Sequence, residues 1–428
     1  VSSELMRVLA PGLPTDQVAA AVDAALAGGA PVAPLPADPV EAARVRAMLR
    51  PEVPVEESDA AVIVSTSGST GSPKGVVLSR AAIATSAAAT HRRLGGPGRW
   101  LLALPTHYVA GFMVVARAAV TGAPVDDVGT DLGRLPEIIT TADTAAEPSY
   151  LSLVPTQLTR ALDDPALTGA LRRVTAILLG GAPAGAELLD RAASAGLRLL
   201  TTYGMSETCG GCVYDGTPLP GVRVELDDPG TDGVGRVLLG GPMIFSGYRL
   251  RPELTATTLI DHPRSPSSGN GAGGPAGLSA EHRTGLSASP DAGLSMVRTN
   301  DRGRIRGGRL DVLGRFDDVI ISGGLKIDLA SVERAAREWP GLAGGEIAVV
   351  GVPDRDWGSR LVAYAERGPH GDPAAPADLA ALQDFLAGRI ARHEQPRELI
   401  MMARLPRTSS GKVDRLRLGT VRPGTVRP

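Results

Sequence analysis

The eleven residues Ser65 to Gly75, STSGSTGSPKG, constrain this chain more than any other stretch, because they follow directly on the apolar, β-branched run Ala60–Val64. A buried strand opening into a loop of glycines and hydroxyl residues brings backbone N–H groups and hydroxyls close to a polyphosphate. Lys74 adds a mobile positive charge for the same anion. Thr66, Ser67, Gly68, Ser69, Thr70 and Gly71 are therefore the candidate phosphate contacts. A Walker A loop is excluded, since it would need a glycine where Pro73 stands and a hydroxyl residue where Gly75 stands. A Ser/Gly surface linker is disfavoured by the strand before the loop and by the apolar Val76–Leu78 after it.

The architecture expected around the loop is α/β. Short apolar runs recur at Tyr150–Val154, Val174–Leu179 and Leu197–Thr201, with alanine-rich helical stretches between several of them. One such helix is expected over Ala184–Ala195, with Leu188, Leu189 and Ala192 on one face. With 428 residues and 43% hydrophobic content, the chain is long enough for two or three domains. The 44 basic and 46 acidic side chains are interspersed, which gives no field suited to nucleic acid. No run approaches the roughly 18 apolar residues needed for a membrane span, and the first residues do not read as a secretory signal, so a cytoplasmic protein is expected. Residues 263–290 are dominated by Gly, Ser, Pro and Ala and are expected to form a flexible surface insertion. Arg367–Pro376 reads as a further loop.

The phosphate loop resembles the signature of the adenylate-forming superfamily, which includes acyl-CoA synthetases, peptide-synthetase adenylation domains and luciferases. Six later segments resemble its motifs in order, so that the likeness spans about Ala60 to Arg415. Gly180-Gly181-Ala182-Pro183 resembles the segment bordering adenine, which assigns Gly181 and Ala182 to the nucleotide. Thr201–Thr208, TTYGMSET, resembles the adenine and magnesium motif. It implies nucleotide contacts from Thr202, Tyr203, Gly204 and Thr208, and Mg²⁺ held by Glu207 with Thr70. Thr299–Gly303, TNDRG, implies that Asp301 receives the ribose hydroxyls. Asn300 stands there where glycine is usual, a departure that Asn tolerates through its access to left-handed backbone. Gly314–Asp318, GRFDD, implies Arg315 near ribose and Asp317 as a hinge, and Gly323 and Gly324 in SGGLK imply a channel for the pantetheine of CoA. Finally, Pro406–Lys412, PRTSSGK, implies that Lys412 is the catalytic lysine.

The resemblance implies a large multi-subdomain N-terminal domain, residues 1–316, that binds ATP and a carboxylic acid. A small mobile α+β domain, residues 317–428, would follow and carry Lys412. The implied reaction joins an acid to a thiol through an acyl-adenylate, using ATP, Mg²⁺ and CoA. The start of the phosphate loop at Ser65 suggests a reduced N-terminal subdomain. The segments Leu104–Gly111 (LPTHYVAG), Ser152–Leu158 (SLVPTQL) and Tyr203–Gly216 (YGMSETCGGCVYDG) are similar to the o-succinylbenzoate–CoA ligases of menaquinone biosynthesis, in a short actinobacterial form. His107, Thr156, Gln157, Gly210 and Gly211 are then the expected acid pocket, with His107 read either as a group beside the acyl site or as a core histidine. A stand-alone enzyme loading a carrier protein shares every nucleotide motif, and a silent acid-binding protein is the reading from another class. Cys209 and Cys212 spell CxxC, but without further ligands or a helix start they read as small residues, not as a zinc or redox site. From relatives, a homodimer is expected, and acetylation of Lys412 would remove its charge.

Overall fold

The computed structural model describes residues 4–67, 73–141, 147–261, 284–287, 295–368, 377–408 and 412–420. It divides into two compact units, one comprising residues 1–299 with 305–311 and the other residues 300–304 with 312–428. No helix among the described residues is long and apolar enough to cross a membrane.

In the first unit the two ends of the phosphate segment lie on paired strands of a hairpin. The strand Ala60–Ser67 pairs antiparallel with Pro73–Ser79, placing Thr66 opposite Lys74. The hairpin lies in a five-stranded sheet, edged by Arg7–Leu9 on one side and by the two-residue strand Gly247–Tyr248 on the other. A seven-stranded sheet runs in the order Thr217–Pro218, Gly210–Tyr214, Leu199–Met205, Ala176–Leu179, Ser149–Leu153, Arg99–Leu102, Val125–Asp127. From Leu199–Met205 to Val125–Asp127 its neighbours are all parallel. Parallel strands need crossover helices, and these cover a core that includes Leu101, Leu151, Leu153, Ile177 and Leu179.

The expected strands are found with shifted ends. Val174 and Leu197 are buried but lie in the turns that precede their strands, where packing rather than ladder hydrogen bonds accounts for their apolar character. The helix expected from Ala184 begins at Ala186, because Gly185 is extended (φ −71°, ψ 155°) as its N-cap; Ala192 is fully buried, with Leu188 and Leu189 packed on the same core. Within the 263–290 stretch, Thr284–Ser287 forms a strand antiparallel to Arg223–Asp227. Residues 262–283 and 288–294 lie outside the described residues, as do 369–376 of the second expected loop.

The second unit contains the hairpin Val319–Ser322 with Leu325–Asp328 and a three-stranded sheet of Glu346–Asp354, Gly358–Glu366 and Glu398–Met402. The helices Leu329–Ala336 and Leu379–Leu386 close its core through Val332, Ala336, Leu382 and Leu386. It is an α+β arrangement.

Candidate active site

Glu207 sits on a single 3-10 turn, Ser206–Thr208, at the carboxyl end of the strand Leu199–Met205. Ends of parallel strands are where open α/β sheets bind ligands. The turn is held by Thr208, whose hydroxyl accepts from Met205 N (2.9 Å) and donates to the Gly210 carbonyl (2.7 Å). Thr208 is fully buried, so its sequence assignment to the nucleotide is corrected: its hydroxyl is committed to the turn that presents Glu207. Behind the turn the strand folds back on itself with Gly204 opposite Gly211, so closely that a Cβ on Gly204 would lie 2.1 Å from the Gly210 carbonyl oxygen. Only glycine permits that approach.

The Glu207 carboxylate is 9% exposed and accepts a 2.6 Å hydrogen bond from the Tyr248 hydroxyl. Lys74 Nζ lies 5.0 Å from the centroid of the same tyrosine ring. The hairpin register thus brings the expected phosphate lysine and the expected metal carboxylate onto one aromatic side chain, which sequence reasoning missed. Thr66 is half-buried at the hairpin end; Gly68, Ser69, Thr70 and Gly71 lie outside the described residues, as does the Ser67 side chain. Among the described residues no three His, Cys, Asp or Glu side chains gather as a metal cluster. A lone carboxylate with one oxygen already engaged suits a hard cation that takes its other ligands from phosphate and water, as Mg²⁺ does. Gly181 (φ +82°) and Ala182 are exposed after the strand Ala176–Leu179, and Thr202 and Tyr203 are half-buried on the adjacent strand.

His107 precedes the helix Val109–Thr121 and is 9% exposed, with its ring 4.1 Å from that of Tyr108. Burial pushes its pKa down, so the imidazole is neutral, and Nε2 is buried with no hydrogen-bond partner among the described residues. A satisfied core histidine would ordinarily have such a partner. Gln157 gives the opposite result. Its Oε1 accepts from Val154 N (3.1 Å) and its Nε2 donates to the carbonyls of Ala103 and Thr130 (2.8 Å each). The amide caps the helix Pro155–Leu162 and ties two loops to it, so its assignment to the acid pocket is corrected. Gln157→Ala is expected to lower stability by about 1–3 kcal/mol in urea denaturation, through three lost backbone partners, with acid affinity unchanged in the folded fraction. Thr156 is half-buried on the first turn of that helix.

The residue that sequence reasoning overlooked most is Arg117, on the helix that His107 precedes. It is 4% exposed, its Nε has no acceptor, and it makes no ion pair among the described residues. Its guanidinium lies 5.1 Å from the Trp100 ring, and Nη2 would be 3.9 Å from a Cβ on Gly210, which is held left-handed at φ +84°. An unpaired buried cation is costly unless something negative arrives to meet it. No sequence signal marks Arg117, because one arginine on an apolar helix face reads as an edge residue.

Arg117 also shapes its neighbours. His91, 5% exposed, accepts from Trp100 Nε1 (3.2 Å), and burial, then the charge of Arg117, lower its pKa to about 4. Because that folded value lies below the ordinary 6.5, the unfolded chain takes up a proton first as pH falls. Stability contributed by neutral His91 is complete above pH 6.5 and is lost progressively towards pH 4, by up to about 3 kcal/mol. Urea melts of wild type and His91→Gln across this window are expected to converge as pH falls; parallel curves would contradict it. Cys209 and Cys212 are buried free thiols, and burial pushes both up, Cys212 to about 12.

In the second unit Arg315 grips Asp317 with two hydrogen bonds (Nε–Oδ1 2.7 Å, Nη2–Oδ2 2.8 Å) and reaches Asp301 at 3.3 Å. Burial raises the Asp317 pKa, but the Arg315 guanidinium and then the Asn300 side chain hold it below the ordinary value. Asn300 lies in the strand Ser295–Arg306 and is not among the positive-φ residues, so its replacement of glycine needs no left-handed backbone. Gly323 (φ +56°) and Gly324 (φ +81°) form the exposed bend of the hairpin, and Gly323 N donates to the Trp357 carbonyl (3.0 Å). Lys412 is exposed; its carbonyl accepts from Thr408 N (2.8 Å), and Arg407 bridges to Val413. This narrow hairpin is anchored on one side by the pair Arg407–Glu346 and on the other by Arg415–Glu333 (2.7 Å), with Glu333 buried.

Comparison with known proteins agrees with this arrangement. The family described as AMP-binding enzyme matches residues 9–249, and the AMP-binding enzyme C-terminal domain matches residues 331–412. A probable 2-succinylbenzoate–CoA ligase of Mycobacterium tuberculosis is 39% identical over 369 residues, covering 85% of this chain and 84% of that protein. The 2-succinylbenzoate–CoA ligase of Listeria monocytogenes is 28% identical over 84% of this chain and 70% of its own length. In fold, the chain is similar to the o-succinylbenzoate CoA synthetase of Bacillus subtilis solved with its acyl-adenylate intermediate (TM-score 0.67, 24% identity, 97% of this chain and 83% of that one). It is likewise similar to ATP-bound MatB of Rhodopseudomonas palustris (TM-score 0.68, 24% identity, 97% and 79%). With its matched nucleotide hairpin, its Glu207 turn and its Lys412 hairpin, the chain belongs to the AMP-binding enzyme family.

Proposed function

We propose that this protein is an AMP-forming acid–CoA ligase that converts 2-succinylbenzoate, ATP and CoA to 2-succinylbenzoyl-CoA, AMP and pyrophosphate, as a step of menaquinone biosynthesis in the cytoplasm. The observation that carries the choice of acid is the unpaired, buried Arg117 beside Gly210. 2-Succinylbenzoate has two carboxylates, only one of which is activated. The other must be taken from water to a fixed cation, and Arg117 is the buried cation on the helix that His107 precedes. The 39% identical probable 2-succinylbenzoate–CoA ligase of Mycobacterium tuberculosis supports the reading.

In the first half-reaction an oxygen of the substrate carboxylate attacks the α-phosphorus of ATP, and the bond to pyrophosphate breaks. The carboxylate is already ionised near neutral pH, so no general base is required. Lys74 and Lys412 neutralise charge on the phosphates, Tyr203 lies against adenine, and Asp301 and Arg315 serve the ribose. Mg²⁺, held through Glu207, would supply further charge neutralisation on the phosphates. Neutral His107 would serve as a donor beside the acyl group. In the second half-reaction the CoA thiol attacks the acyl carbon and AMP leaves. Residues 317–428 would rotate about Asp317 between the two steps, exchanging Lys412 for the Gly323–Gly324 bend.

Pyrophosphate release measured with 2-succinylbenzoate, benzoate and fatty acids tests the reading, with free CoA compared against a phosphopantetheinylated carrier protein as acceptor. Turnover is expected with 2-succinylbenzoate and free CoA. Preference for a fatty acid would overturn the choice of acid, and preference for the carrier would make this a loading enzyme. A homodimer and an acetylated, inactive Lys412 belong to the same reading, checked by light scattering and by mass spectrometry of enzyme treated with an acetyltransferase.

A further inference from the structure

We infer that Tyr248 is a positioning residue for the nucleotide site, setting the Glu207 carboxylate and the Lys74 ammonium in one fixed arrangement. This rests on the adenylation reading and adds a residue to it. Tyr248 is 6% exposed and stands far from both partners in sequence. The segment that carries it is fastened between them. Phe245 N donates to the Glu207 carbonyl (2.9 Å), Ser246 N to that of Val77 (2.9 Å) and Arg249 N to that of Gly75 (2.8 Å). Tyr248 itself pairs with Val76, two residues from Lys74. Beyond it, the Arg249 guanidinium donates to the carbonyls of Leu49, Arg50, Val53 and Pro54, which anchors the segment's far end.

On this fixed support the side chain has two functions. Its hydroxyl donates to Glu207 Oε1 at 2.6 Å, a short charge-assisted bond that restrains the carboxylate. Its ring, braced edge-on by Phe245 at 4.8 Å between centroids, offers its face to Lys74 Nζ at 5.0 Å. The carboxylate is held at the hydroxyl and the ammonium over the ring, so the two opposite charges meet different parts of one side chain. Tyr248 engages each separately and keeps both available to a phosphate and its cation.

Calorimetric titration of ATP, with Mg²⁺ and with EDTA, into wild type, Tyr248→Phe and Tyr248→Leu tests this. Phe keeps the ring and removes the hydroxyl. It is expected to weaken binding in Mg²⁺ by roughly tenfold while leaving metal-free ATP affinity unchanged, as loss of a hydrogen bond to a charged group implies. Leu removes both contacts and is expected to weaken binding in both conditions. Glu207→Gln combined with Tyr248→Phe is expected to lose no more Mg²⁺-dependent affinity than Glu207→Gln alone, a comparison that a general loss of fold would not reproduce. Full retention of the Mg²⁺-dependent gain by Tyr248→Phe overturns the inference and leaves the adenylation reading intact. Wild type that binds no ATP in either condition overturns both.

Discussion

Lys412→Ala should lower the rate of acyl-adenylate formation by roughly 10²–10³-fold, the usual consequence of removing one charge-stabilising group from a transition state. Thioester formation from supplied acyl-adenylate should fall far less. The hairpin bearing Lys412 is anchored through Arg407–Glu346, Arg415–Glu333 and the bridge between Arg407 and Val413. These anchors are made by Arg407, Arg415 and Val413 and not by Lys412, so the substitution leaves them in place. Pyrophosphate release and CoA consumption, measured separately, make the comparison. Equal losses in the two half-reactions would contradict a role confined to adenylation.

The second large effect is expected at Arg117. Arg117→Met keeps most of the volume against Trp100 and removes the charge. The KM for 2-succinylbenzoate should rise roughly 100-fold, as expected when a buried carboxylate loses its cation, with the KM for ATP unchanged. The free protein should meanwhile become no less stable, because the wild-type cation is buried without an ion pair among the described residues. Those two directions together distinguish a binding residue from a structural one. A structural arginine would lower the melting temperature when replaced and would affect both substrates alike. Arg117→Lys should recover part of the acid affinity but lack the forked donor geometry. Benzoate, having no second carboxylate, should lose nothing in either variant.

The site is most legible in the sequence where it is carried by a short contiguous segment. The paired strands Ala60–Ser67 and Pro73–Ser79 and the turn bearing Glu207 each depend on backbone geometry that neighbouring residues specify, so residue type and order mark them. It is least legible where one side chain can serve either of two purposes. Gln157 and His107 look alike as polar residues near an apolar pocket. Only the packing shows that one amide is spent on three backbone groups while the other side chain keeps a buried nitrogen without a partner. Thr208 was misread for the same reason, since a hydroxyl in a nucleotide motif can bind the ligand or hold the turn.

What the sequence determined by itself was the nucleotide chemistry and the α/β alternation, because both are written in local patterns of glycine, hydroxyl and β-branched residues. What only the tertiary structure decided was which distant side chains meet. Tyr248 reaches Glu207 across 41 residues of chain because a two-residue strand joins the edge of the phosphate-loop hairpin. Arg117 comes to lie beside Gly210 because helix and sheet pack in the same unit. Such pairings follow from strand order and burial, which depend on contacts between residues far apart in the chain, and no local pattern encodes them.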